Sequence, residues 1–87
     1  MKRMTMAEAM CAAINEASKY EGEVTRAFPL EGSGNKENGY DYLLIGVEMS
    51  TYEDGWQKST VYEVQTYCNE ATEYSVAPVI IRETELD

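Results

Sequence analysis

Histidine is absent from these 87 residues. Its absence removes the commonest general base and every Ser-His or Cys-His nucleophile arrangement. Cysteine is scarce. Cys11 and Cys68 stand far apart, and without histidine they cannot make a usual zinc site. They read as free thiols of a reducing compartment, the cytoplasm of a host cell. Cations are also few: seven lysines and arginines face sixteen acids, for a net charge of −9. No basic cluster is present to displace phosphate counterions or to meet an anionic lipid surface. Direct nucleic-acid binding and membrane association are therefore not expected. Long apolar runs are missing as well. The opening MKRMTMAEAM is interrupted by Glu8 and reads as neither a signal peptide nor a transmembrane segment.

Recognisable site motifs are equally lacking. The glycine-rich stretch GSGNKENG has no Gly-Lys-Ser/Thr ending of the kind that cradles phosphates. The stretch TYEDGWQK offers carboxylate and amide oxygens but not the Asp-x-Asp-x-Asp-Gly spacing of a calcium loop. No cofactor, no metal and no catalytic residue is expected, and the chain reads as a non-enzyme. A small carboxylate-only enzyme would need a concave pocket holding two carboxylates of raised pKa.

What is present is a hairpin. Tyr40 to Cys68 reads as two apolar runs facing each other across Asp54-Gly55. A two-residue type I′ turn needs positive φ at both central positions, which Asp tolerates and Gly prefers. With those two as the loop, Glu53 faces Trp56. Leu43 then faces Thr66, Ile45 faces Val64, Val47 faces Tyr62 and Met49 faces Thr60. That is one coherent apolar face. The other face pairs Tyr42 with Tyr67, Leu44 with Gln65, Gly46 with Glu63 and Glu48 with Val61. A slip of one residue would carry Glu63 and Gln65 into the core.

Around the hairpin the chain reads as α+β. One N-terminal amphipathic helix, 5–21, packs on one face of a three- or four-stranded antiparallel meander. Thr5 and Glu8 have capping-box spacing. Met6, Met10, Ala13, Ile14 and Ala17 fall on one side, and Gly22 is placed to end the helix. Strands are expected at about 23–28, ended by Pro29, then 40–52, 57–68 and 74–82. Residues 29–39 read as a flexible polar loop. A short even-numbered turn after Cys68 would set Ser75, Ala77, Val79 and Ile81 beside Val64 and Tyr62. Pro78 marks the last strand as an edge, and the tail ETELD is expected to fray. One domain accounts for the whole length.

The distribution of charge carries the functional expectation. Residues 1–36 are balanced, five acids against five bases, whereas 37–87 hold eleven acids and two bases. The open sheet face would carry Tyr40, Tyr42 and Tyr67 beside Glu48 and Glu63, the two glutamates diagonal neighbours roughly 7 Å apart. Glu53 and Asp54 lie at one end with Trp56 as a candidate anchor; Glu70 and Glu73 lie at the other. Aromatics are enriched among residues that dominate binding. This set is the candidate partner-binding surface. In size, acidity, lack of enzymatic motifs and helix-plus-meander plan, the whole chain resembles small phage-encoded inhibitors. These are anti-CRISPR proteins and other nucleic-acid mimics such as the uracil-DNA glycosylase inhibitor. The resemblance implies stoichiometric blocking of a host protein's basic, nucleic-acid-binding surface. A homodimeric structural or assembly module, joined through the tyrosine-bearing face or an edge strand, is the competing expectation.

Overall fold

The computed structural model describes residues 3–35, 37–69 and 75–86. Helix α1 spans Met6–Ala17. Four strands follow: β1 Glu23–Asn35, β2 Gly39–Glu53, β3 Trp56–Asn69 and β4 Ser75–Leu86. They form one antiparallel sheet in the order β1-β2-β3-β4, with α1 against one face. This is the α+β meander that the alternating runs require.

The hairpin register is the one dictated by Asp54-Gly55. Glu53 pairs with Trp56, Val47 with Tyr62, Ile45 with Val64 and Leu43 with Thr66. Both turn residues have positive φ, 53° at Asp54 and 82° at Gly55. The helix-facing side chains form the core. Ile45, Val47, Val64 and Thr66 are fully buried, and Leu43 and Met49 nearly so. Thr66 Oγ1 donates to the Leu43 carbonyl at 2.9 Å, so its hydroxyl enters the core already paired.

Helix α1 lies on this surface through Ala9, Ala13 and Ala17, all fully buried. Alanines spaced by four residues let a helix backbone approach a sheet closely. Met6, Met10 and Ile14 flank them, partly buried. The capping box forms as spaced: Glu8 N–H donates to Thr5 Oγ1, and Thr5 N–H donates to Glu8 Oε1. Just before the helix, Met4 pairs with Tyr40 and is itself fully buried, tying the N-terminal segment to β2.

The structure corrects four expectations. First, α1 ends at Ala17 rather than at residue 21. Ser18 is the cap, and its hydroxyl and backbone N–H both donate to the Ile14 carbonyl. Tyr20 leaves the helix and stacks on Tyr62, ring centroids 5.0 Å apart. Gly22, at φ 128°, opens the path into β1 instead of capping α1.

Second, β1 does not stop at Pro29, and residues 29–35 belong to the strand rather than to a loop. β1 is an edge, where a missing N–H is tolerated, and Pro29 stands opposite Ile45. Third, β4 has the opposite facing. Asn69 pairs with Ser75, so five residues intervene, an odd number. Each side chain of β4 is thereby turned over relative to an even turn. Val76, Pro78 and Ile80 lie on the core side, whereas Val79 and Ile81 are 45% and 53% exposed. Fourth, the tail through Leu86 is laddered on β3, with Leu86 opposite Ser59; its side chains are exposed.

Bulges on both edge strands complete the sheet. Register shifts leave Thr25 and Leu30 as extra residues on β1, and Ile81 on β4. At each, two side chains of the edge strand oppose one of its neighbour on the face away from α1.

Candidate partner-binding surface

The outer sheet face assembles Tyr42, Tyr67, Glu48 and Glu63 as the hairpin register demands, whereas Tyr40, beyond the register shift at Asp41, packs against the core instead. Tyr42 pairs with Tyr67, while Glu48 and Glu63 are diagonal across β2 and β3. Their electrostatic state is not what composition suggests. Arg26 on β1 reaches Glu48 at 3.8 Å, and the bulge residue Thr25 donates to the same carboxylate at 2.8 Å. Arg82 on β4 reaches Glu63 at 3.3 Å. Arg26 also stacks over the Phe28 ring, 4.7 Å from its centroid. Reading across the sheet, the charges run Arg26, Glu48, Glu63, Arg82, so the middle of this face is neutral. The arginines come from the two edge strands, which the hairpin alone does not reveal.

Glu53, Asp54 and Trp56 lie elsewhere, at the tip of the β2–β3 hairpin. β1 begins opposite Ser50 and β4 ends opposite Ser59. The last three pairs of the hairpin therefore project past both neighbours, about 10 Å at about 3.4 Å per residue. Trp56 and Tyr52 on this projection are each 76% exposed. Glu53 is bridged to Lys58 at 2.9 Å. That hydrogen bond, with the charges of Glu53 and Glu85, pushes the Lys58 ammonium above its ordinary pKa. Asp54 holds the turn and is exposed. Glu70 and Glu73 lie outside the described residues.

The structure brings further acids to this same end. Glu21 and Glu23 lead into β1 at the level of Ser50. Glu83 and Glu85 stand opposite Tyr62 and Thr60 at the end of β4. Among the described residues no lysine or arginine bridges Glu21, Glu23, Asp54, Glu83 or Glu85. Sequence reading missed Glu83 and Glu85 because the tail was expected to fray, and Tyr20 because it was assigned to the helix. Their signal was the alternation in RETEL, which continues the strand pattern.

Tyr62 is a second titratable group perturbed at this end. Its burial, then the charge of Glu83, then the neighbouring Tyr20, raise its phenol above the usual 10.0. The folded state thus favours the neutral phenol, and the unfolded chain ionises first. Stability from this group is complete below about pH 10 and is lost as pH rises toward the folded value. Tyr62→Phe is expected to flatten that alkaline loss, read from urea melts at about pH 9 and about pH 11. An identical pH dependence in both proteins would contradict the assignment.

Among the described residues no group of three or more metal-ligating side chains is placed to hold an ion, and no helix is long and apolar enough to cross a membrane. Comparison with protein-family models, with curated proteins and with solved structures finds no significant match.

Proposed function

We propose that this protein is a small non-enzymatic inhibitor that occupies a basic, nucleic-acid-binding surface of a host protein. In this reading it acts stoichiometrically, in the manner of anti-CRISPR and other DNA-mimic proteins. The observation that carries it is the hairpin end. Acids outnumber cations there around exposed Trp56 and Tyr52: Lys58 bridges Glu53, and among the described residues no lysine or arginine bridges Glu21, Glu23, Asp54, Glu83 or Glu85. The contact is thus moved from the outer face, where Glu48 and Glu63 are matched by arginines, to the projecting tip. Carboxylates at the tip would stand in for phosphates, with Trp56 as the apolar anchor. Anions in solvent attract a basic groove over a range set by the Debye length, so the complex should weaken as salt rises.

The test is capture of nucleic-acid-binding proteins from host lysate on the immobilised chain, at low and high salt, with duplex DNA as competitor. Expected is a basic partner released both by salt and by DNA. Trp56→Ala, or Glu83→Lys combined with Glu85→Lys, should weaken binding at least about tenfold. Capture indifferent to salt, DNA and these substitutions would refute the reading.

A further inference from the structure

The outer sheet face is left uncovered by α1 and is not the acidic surface that net charge implies. From the geometry we infer that this face is a self-association surface, joining two copies of the chain sheet to sheet.

The first argument is composition by position. Leu30, Tyr67, Val79 and Ile81 on this face are 37–53% exposed, around Leu44 and Phe28. Leu30 and Ile81 are there because of the bulges, one on each edge strand. The bulges therefore widen the apolar area on both sides. Phe28 spreads over Gly46, where a Cβ would come within 2.6 Å of its ring. The absence of a side chain at Gly46 leaves the ring lying low on the sheet.

The second argument is charge. Glu48 and Glu63 are each about one-fifth exposed and already matched by Arg26 and Arg82. A cationic partner gains little from carboxylates that are already paired, whereas a face neutral at its middle, with Glu31 at the β1 edge as its one unbridged acid among the described residues, can meet its own copy. Exposed pairs of this kind add little to stability. Their consequence here is to remove the like-charge repulsion that a bare Glu48 and a bare Glu63 would bring to the middle of a symmetric contact.

The third argument is area. Four strands about 4.8 Å apart and about eleven residues long, at about 3.4 Å each, present roughly 700 Å². A standard interface takes about 800 Å² from each partner. The edges are poorer routes to a dimer. Pro29 and Pro78, with the bulges, interrupt the hydrogen-bonding templates of β1 and β4. Sheet-on-sheet packing is a common way for two such apolar faces to be buried.

The dimer and the tip contact respond to salt with opposite signs. Each copy carries −9, so screening strengthens the dimer and weakens the tip contact. Sedimentation equilibrium of the full chain is expected to show a particle of twice the 9.8 kDa chain mass, with a dissociation constant that falls as salt is added. Ile81→Lys on β4 and, separately, Leu30→Lys on β1 should each raise that constant at least about thirtyfold. Both sites are exposed, and circular dichroism checks that the variants fold. Trp56→Ala, at the tip, should leave it unchanged. A chain that is monomeric at all concentrations and salts overturns the inference. So does a dimer that withstands both lysine substitutions, or one lost with Trp56→Ala. Failure of the host-partner capture would leave the dimer measurement standing, because neither readout depends on the other.

Discussion

Ile45→Ala is expected to lower unfolding free energy by about 4 kcal/mol, as large-to-small substitutions do in tightly packed cores. Ile45 is fully buried at the centre of β2, opposite Val64 on one side and Pro29 on the other. Removing its side chain forfeits burial and leaves a hole that β-strands cannot collapse into, because their ladders hold them apart. Domains of this size are commonly stable by only about 5–10 kcal/mol, so much of the folded population would be at risk. Ile45→Val, which removes a single methyl group, should cost only about 1 kcal/mol. The measurement is the urea midpoint at constant slope. A loss below about 1 kcal/mol for the alanine variant would mean that α1 does not cover this face as described.

Gly34→Ala is expected to cost about 3 kcal/mol, from a strained backbone and a steric clash together. Gly34 adopts φ 115°, a region that side chains avoid, and an added Cβ would lie 2.5 Å from the Gly39 carbonyl oxygen. The neighbour is backbone, held in the first hairpin by the Asn35–Gly39 pair, so it cannot rotate away. The sign of the effect is diagnostic. In a mobile loop, as the glycine-rich composition of 29–39 suggests, glycine to alanine would stabilise by about 0.4–1 kcal/mol through the unfolded state. Thermal melts of the two proteins decide between these outcomes.

The contrast between these two positions shows where sequence reading works. Ile45 was legible because the alternation of β2 and β3 around Asp54-Gly55 leaves one register that buries an apolar face. Gly34 is not legible in the same way, because glycine has two uses with one spelling. It supplies flexibility where nothing surrounds it and close approach where backbone does. Gly32 carries the same lesson: a Cβ there would lie 2.5 Å from the Leu43 side chain. Gly22 has the spelling of a helix terminator, yet Ser18 closes the helix four residues earlier.

The candidate surface was legible in its parts and not in its arrangement. Tyr42, Tyr67, Glu48 and Glu63 share a face because strand parity within one hairpin is a local property. Whether the glutamates are available depends on Arg26 and Arg82, which approach from strands separated from them by more than a dozen residues. The tip gathers Glu23 and Glu85 from distant ends of the chain, since β1 starts and β4 stops at the same level of the sheet.

By itself the chain's order of residues determined the capped helix, the central turn, the pairing of β2 with β3 and the inward row of Leu43, Ile45, Val47 and Met49. These follow from interactions between near neighbours and from the two-residue period of a strand. The tertiary structure alone decided which side of β4 faces the helix, how far β1 runs, and which anions keep a cation beside them. Those outcomes turn on an odd-length connection, on bulges and on cross-sheet contacts. In each, the energy comes from groups remote in sequence, and a change of one residue in register reverses the result.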